Sequence, residues 1–331
     1  MSLKEFILKN LQKHQNDIVK FTIQECNVSR QAVYKQLRSL IRDGRVLKKN
    51  RGQYELCRGF TITSSAAITT DLQEDRVWHE LFNEIFKKIP KNIYSICYYG
   101  FTEMLNNVID HSGGQIVSIS LGINNESIKI VLHDDGIGIF NKIKNAFHHD
   151  DVRESLFQLT KGKLTTDPEN HTGEGIFFTS RAFDKFSIVS GELFYYKNVV
   201  EDDWYIETRK NKELGTSILM EISMDSKRNL PDVFSKFTSG EDFKFNKTHI
   251  VVDLAKNEDE EYISRSQAKR VLANLDKFEH VVLDFKKVLI VGQGFVDEVF
   301  RVYKNRNPHV TIEYKNANAD VEFMIKRSVP Q

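Results

Sequence analysis

Phe101-Thr102-Glu103-Met104-Leu105-Asn106-Asn107-Val108-Ile109-Asp110-His111 decides the architecture of this chain when it is read with two later runs. These are His133-Asp134-Asp135-Gly136-Ile137-Gly138-Ile139 and His171-Thr172-Gly173-Glu174-Gly175-Ile176. The first run belongs to a helix expected over Ile93 to Asp110, whose apolar stripe is Ile96, Gly100, Met104 or Leu105, and Val108. Glu103 and Asn107 lie four residues apart and project from one face. An amide oxygen suits magnesium, which takes a few hard oxygen ligands and keeps its waters and phosphates. A neighbouring carboxylate can orient or deprotonate a nucleophile. Asn107 is therefore read as a magnesium ligand and Glu103 as a base, although in isolation the pair also reads as a solvated i,i+4 contact.

The second run follows an apolar strand and sets a carboxylate beside two glycines. Glycine lets the backbone approach a flat ring closely, and a buried Asp134 can accept the exocyclic amine of adenine. The third run is a glycine turn entering a helix, where free N–H groups meet phosphate oxygens. Each turn taken alone is also an ordinary loop signal. The order is more specific: Glu-x-x-x-Asn on a helix, Asp-x-Gly-x-Gly after a strand, a polar loop of about thirty residues, then Gly-x-Gly before a helix.

In that order the motifs resemble the ATP-binding domain of the GHKL superfamily (the gyrase, histidine kinase and MutL type), and the 101–111 run resembles its anti-sigma serine kinase branch most. The resemblance covers residues 70–223 and implies a Bergerat two-layer α/β sandwich. It implies that Asn107 binds Mg²⁺, that Asp134 reads adenine, that Gly136, Gly138, Gly173 and Gly175 shape the ATP pocket, and that Asn141 to Thr172 form the lid. Thr216, within Leu214-Gly215-Thr216-Ser217, resembles the family's late threonine near adenine. His171 and Glu174 depart from the family's commoner glycine and apolar residue. His79-Glu80-Leu81-Phe82-Asn83 has the form of a phosphoacceptor box, but only 28 residues separate His79 from Asn107, too few for a dimerisation hairpin. His79 is read as an ordinary helix residue.

Outward from this centre, the chain of 331 residues has room for two or three domains. Its charge is unevenly spread. Residues 1–58 hold 13 Lys and Arg against 5 Asp and Glu, a net of +8, and the remainder holds 34 against 41, a net of −7. Ser29 caps a helix with Ala32, Val33, Leu37, Leu40 and Ile41 on one side and Arg30, Gln31, Tyr34, Lys35 and Arg38 on the other, ended by Asp43-Gly44. Two strands around a turn carrying Lys48, Lys49 and Arg51 follow. This segment resembles a winged helix-turn-helix domain, with duplex DNA as the expected partner of those eight polar residues. Protein docking is the other use of such a face.

Residues 61–70 read as a linker or as the edge strand opening the next unit, and residues 224–247 hold the second boundary. Beyond it, from 245 to 331, a β-α-β-α-β order gives a small α/β domain. The runs Ser264 to Arg270, Leu283-Asp284-Phe285 and Gly292 to Arg301 resemble the STAS-like domain of unknown function found behind such ATP domains. The turn that carries a phosphorylatable serine in STAS anti-anti-sigma factors reads Gly292-Gln293-Gly294-Phe295 here, without a hydroxyl, so the domain is expected to dock a protein partner. Cys26, Cys57 and Cys97 are dispersed and support neither disulfides nor a cysteine zinc site. No run of about 18 apolar residues occurs, so a soluble, cytoplasmic chain without membrane contact is expected, with a homodimer left open. The whole is read as an ATP-responsive DNA-binding regulator. An anti-sigma-type serine/threonine protein kinase and a GHKL ATPase effector are the alternatives.

Overall fold

Ser2 opens the first helix: its Oγ accepts the Glu5 N–H (3.3 Å) and the Glu5 carboxylate accepts the Ser2 N–H (2.7 Å). In the computed structural model, residues 1–43, 45–50, 52–57, 59–169, 171–240, 244–256 and 262–328 are described. Helices α1 (Leu3–Leu11), α2 (Ile18–Cys26) and α3 (Arg30–Arg42) precede an antiparallel hairpin of β1 (Val46–Asn50) and β2 (Gln53–Leu56). Asn27 ends α2 in the left-handed conformation, and Ser29 caps α3 by accepting the Ala32 N–H at 3.2 Å. Val33, Leu37 and Leu40 recur at helical spacing and meet Ile7, Leu11, Ile18, Val46 and Tyr54 in one apolar core. Gly44, expected in the helix stop, and Arg51, expected in the basic turn, lie outside the described residues.

Next come β3 (Phe60–Ala67), α4 (Glu74–Phe86), α5 (Lys91–His111), β4 (Ile116–Ile123), β5 (Ser127–Asp134), β6 (Lys185–Asn198) and β7 (Asp203–Ser223). The strands form one sheet in the order β3-β4-β5-β7-β6, antiparallel throughout. The stretch read as linker or edge strand is the edge strand, paired with β4 from Phe60↔Ile123 to Ala67↔Ile116. Alternate residues Val117, Ile119, Leu121, Ile128, Ile130 and Leu132 are buried, as period-two patterning requires. Trp78, Phe82, Phe86 and Phe101 join α4 to α5 through edge-to-face and tilted ring contacts at 4.7–5.4 Å. Strands β6 and β7 are long, at 14 and 21 residues. Gly191 and Gly215, at φ 60° and 72°, bend the ladder without ending it.

These elements fall in one compact unit, Met1–Ile137 with Ala182–Asn229; the second comprises Gly138–Arg181 with Leu230–Gln331. The second unit contains α6 (Ile139–Phe147), α7 (Val152–Lys161), α8 (Gly175–Ala182, reaching one residue into the first unit), α9 (Leu230–Ser235) and the small pair β8 (Thr238–Ser239) and β9 (Lys244–Phe245). It continues with β10 (Lys247–Val251), β11 (Tyr262–Ile263), α10 (Arg265–Leu272), β12 (His280–Asp284) and β13 (Ile290–Val291). Last come α11 (Gln293–Asp297), a π-helical turn Glu298–Tyr303, α12 (Lys304–Arg306), β14 (Thr311–Lys315) and α13 (Ala319–Ser328). Strands β10, β12 and β14 make a parallel sheet in that order, and β11 pairs with β13. Helix α13 had no counterpart in the sequence reading; Asn318 starts it by accepting the Val321 N–H at 2.8 Å, and Val321 and Ile325 bury its inner face. Among the described residues no helix is long and apolar enough to cross a membrane.

Candidate functional site

Helix α5 buries Ile93, Ile96, Cys97, Gly100, Phe101, Met104, Leu105 and Val108, so Met104 and Leu105 both face the core. Glu103 and Asn107 stand half-buried beside that stripe, one turn apart. A Cβ on Gly100 would come within 2.3 Å of the Phe183 ring, which explains glycine at the closest approach of this helix. The helix ends at Ser112. The Ser112 carbonyl accepts the Ile137 N–H at 3.0 Å, and a Cβ on Gly136 would sit 2.2 Å from the same oxygen. The end of α5 is thereby fastened to the turn that follows β5.

Asp134 ends β5 with 3% of its surface exposed. Its Oδ1 accepts the Gly136 N–H at 2.9 Å, and the Thr216 backbone N–H also donates to the carboxylate. Burial pushes this carboxyl up from its ordinary value, against the pull of those two N–H groups. A carboxylate offers about four lone-pair sites, so two backbone bonds leave capacity for an amine donor. Across the ladder, Gly215 brings its chain so close that a Cβ would lie 1.8 Å from the Asp134 carbonyl oxygen, and Ser190 Oγ donates to the Gly215 carbonyl at 3.0 Å. The structure thus brings Asp134, Gly136 and Thr216 together. Asp135 serves the backbone instead. It accepts the Gln115 (2.7 Å) and Ile116 (2.9 Å) N–H groups, and these backbone bonds, Ile116 first, hold its carboxyl low.

The other three glycines belong to the second unit. Gly138, at φ 85°, is the residue before α6. Gly173, at φ 71°, runs so close to Leu164 that a Cβ would be 2.6 Å from its backbone nitrogen and oxygen. Gly175 begins α8, and the Glu174 carbonyl accepts the Phe178 N–H at 3.0 Å in its first turn. The segment expected as a lid, Asn141 to Thr172, carries α6 and α7. Lys161, at the end of α7, is 1% exposed. Its Nζ donates to the Gln158 side chain (2.9 Å) and to the carbonyls of Arg270 (2.6 Å) and Ala273 (3.0 Å) at the end of α10. An ammonium at a helix C-terminus answers both the orphan carbonyls and the helix dipole, while burial drives its pKa well down. Thr248 Oγ1 adds a bond to the Lys161 carbonyl at 2.7 Å.

On α3, Arg30, Gln31, Lys35 and Arg38 are exposed, whereas Tyr34 is half-buried and packs on the core. Lys48 and Lys49 are exposed on β1, and Lys49 lies 3.6 Å from Glu55. Arg45 is 4% exposed and its Nη1 pairs with Asp225 at 2.6 Å, tying the hairpin to the segment after β7. In the C-terminal module Ser264 is the N-cap of α10, and its N–H donates to Gln267 Oε1 at 2.9 Å. Gln293 is exposed at the start of α11, while Phe295, Val296 and Val299 are buried.

Sequence reasoning missed Ser112, Ser190 and Lys161. Gly113-Gly114 after α5 was the available signal for a tight return to the Asp134 turn: a Cβ on Gly114 would lie 2.5 Å from Asp135 Oδ1. Nothing in the sequence around Lys161 distinguishes a buried lysine from a solvated one. Among the described residues no three or more His, Cys, Asp or Glu side chains converge as a metal shell. Residues 267–322 match the model of a family described as a STAS-like domain of unknown function (DUF4325). No curated protein matches the chain.

Proposed function

We propose that the protein is an ATP-responsive DNA-binding regulator, with a GHKL-type pocket, a winged helix at residues 1–58 and the STAS-like module as the part that receives the nucleotide signal. The observation that carries the reading is Asp134: a buried carboxylate at a strand end, contacted by backbone N–H groups and flanked by Gly136, Gly215 and Thr216. Such an acceptor suits a neutral exocyclic amine. Glu103 and Asn107 supply the carboxylate and amide that a nucleotide's magnesium and an attacking nucleophile require. Gly173 and Gly175 supply N–H groups for phosphate before α8. When bound, Mg·ATP brings the phosphate charge that orders such a loop. Helix α7 gives that order a route onward, because Lys161 joins the expected lid to the end of α10.

Calorimetric titration of the full chain with Mg·ATP tests the pocket. Wild type should bind one equivalent, and Asp134→Asn should lose about 10- to 100-fold in affinity, the cost of leaving the adenine amine facing an amide. Equal affinity in the variant ends the reading. The DNA half has its own test. Lys48→Gln should lower the salt slope of duplex binding by about one. Lys49→Gln should lower it less, since Glu55 already neutralises part of that charge. No mobility shift at low salt would reassign α3 to protein docking.

A further inference from the structure

The parallel sheet of the second unit leaves one face polar. In register, Lys247 pairs with His280 on β12, His249 with Val282, and Val282 in turn with Glu313 on β14. Residues two apart on a strand share a face, so these side chains project together with Lys315, while Thr248, Ile250, Val281 and Leu283 point into the core. The polar face is concave. Lys236, Lys247, His249, His280 and Lys315, over Phe237 and Val282, line a cavity of about 430 Å³.

We propose that this cavity binds a small phosphorylated molecule. Its volume lies in the usual range for small-ligand pockets, roughly 300–1,000 Å³. The charge balance favours an anion. Of its three ammonium groups Lys315 is already paired with Asp284, which leaves Lys236 and Lys247 facing one carboxylate, Glu313, with the His249 and His280 rings as further hydrogen-bonding groups. Asp284, just beneath, is fully buried and already engaged by His249 (3.0 Å), Lys315 (3.2 Å) and Asn316 (2.8 Å), so it does not cancel Lys236 or Lys247. Neither of those two lysines forms an ion pair with a carboxylate among the described residues. Both line one hollow together with Phe237 and Val282. A phosphate group, with nearly two negative charges and three acceptor oxygens at neutral pH, matches several ammonium donors better than a single carboxylate does. The cavity belongs to the second unit and Asp134 to the first, so the proposal does not depend on the nucleotide reading.

Inorganic pyrophosphate is the probe. The full chain is titrated calorimetrically, with the His249 and His280 ring signals followed by NMR, and the measurements are repeated on Lys236→Gln/Lys247→Gln. Saturable binding that moves those two rings and weakens about tenfold or more in the double variant, as loss of charge-assisted hydrogen bonds demands, is the expected result. Asp134→Asn should leave this binding intact. No saturable heat, equal affinity in the double variant, or succinate binding as tightly as pyrophosphate would overturn the proposal. So would a short DNA duplex that displaces pyrophosphate while moving the same rings, since the face would then read a nucleic-acid backbone.

Discussion

Two aspartates end strands in this molecule, each almost wholly buried, and their surroundings are opposite in kind. Asp134 closes β5 of the antiparallel sheet and is held by the N–H groups of Gly136 and Thr216. Asp284 closes β12 of the parallel sheet and is held by His249, Lys315, Asn316 and the Lys286 N–H (3.0 Å). Burial pushes both carboxyls up. At Asp134 burial wins; at Asp284 the hydrogen bonds from His249, Lys286 and Asn316 more than reverse it and hold the group far below the ordinary carboxylate range. A buried charge that has gathered an imidazole, an ammonium and amide donors from the strands on either side and the turns beyond them is committed to the fold. One that has only backbone dipoles is costly to keep, and that cost is understandable where a ligand completes the site.

The largest effect should come from breaking the committed one. Asp284→Ala strands His249, Lys315 and Asn316 without their acceptor, and removing one partner of a buried charged cluster costs about 3–5 kcal/mol. Hydrogen exchange along β12, measured with urea unfolding of the full chain, should show the loss. Asp134→Asn should cost less than about 1 kcal/mol or be neutral, because an isosteric amide still accepts N–H bonds and sheds a desolvated charge. If the two variants lost equal stability, the contrast between a carboxylate held by side chains and one held by backbone N–H groups alone would fail.

Acid should separate the pair by sign. The folded-state pKa of Asp134 lies above its unfolded value, so between the two the native state holds the extra proton and stability rises as pH falls through the folded pKa. Asp284 is depressed, so its contribution is complete above the unfolded value of about 4 and is lost as pH falls from there towards its lower folded pKa. Carbon-detected NMR of the aspartate carboxyls gives the check: Asp134 titrates on the alkaline side of an ordinary aspartate, and Asp284 remains ionised below it. A common midpoint would mean that the hydrogen-bond shell around Asp284 does not form.

How much of this was legible differs between the two sites. The Asp134 turn announces itself, because Asp-x-Gly-x-Gly after an apolar strand is a local pattern and Glu103 and Asn107 need only helical spacing. What could not be read was the supporting shell. Ser112 reaches the Asp134 turn from the end of α5, and Ser190 acts on it from β6 through Gly215, contacts that depend on sheet order. The Asp284 cluster is harder still: His249, Asp284 and Lys315 lie on three strands, 35 and 31 residues apart in sequence. Their meeting follows from parallel register alone. Strands β6 and β7 show the same limit locally, since Gly191 and Gly215, residue types that commonly end strands, sit within one ladder whose register shifts at Gly191.

The finest test concerns a residue that touches Asp134 only through another. Ser190 Oγ donates to the Gly215 carbonyl at 3.0 Å, and Gly215 is the residue packed against the Asp134 backbone. Ser190 is therefore a positioning residue: it fixes the strand that delivers the Thr216 N–H to the carboxylate. Ser190→Ala removes that buried neutral hydrogen bond, worth about 0.5–1.5 kcal/mol, together with the longer contact to Thr216 Oγ1 (3.5 Å), and leaves Asp134 itself unchanged. A merely structural role would lower stability and stop there. Positioning predicts more: the Asp134 carboxyl, partly deprived of the Thr216 N–H that lowers it, should move further towards alkaline pH, and Mg·ATP affinity should fall by a few-fold while Asp284 keeps its titration. An Asp134 midpoint unmoved in Ser190→Ala would show that the Gly136 N–H alone fixes the carboxylate. The lesson of the two aspartates would then narrow to the turn after β5, with the neighbouring strand serving only to bury it.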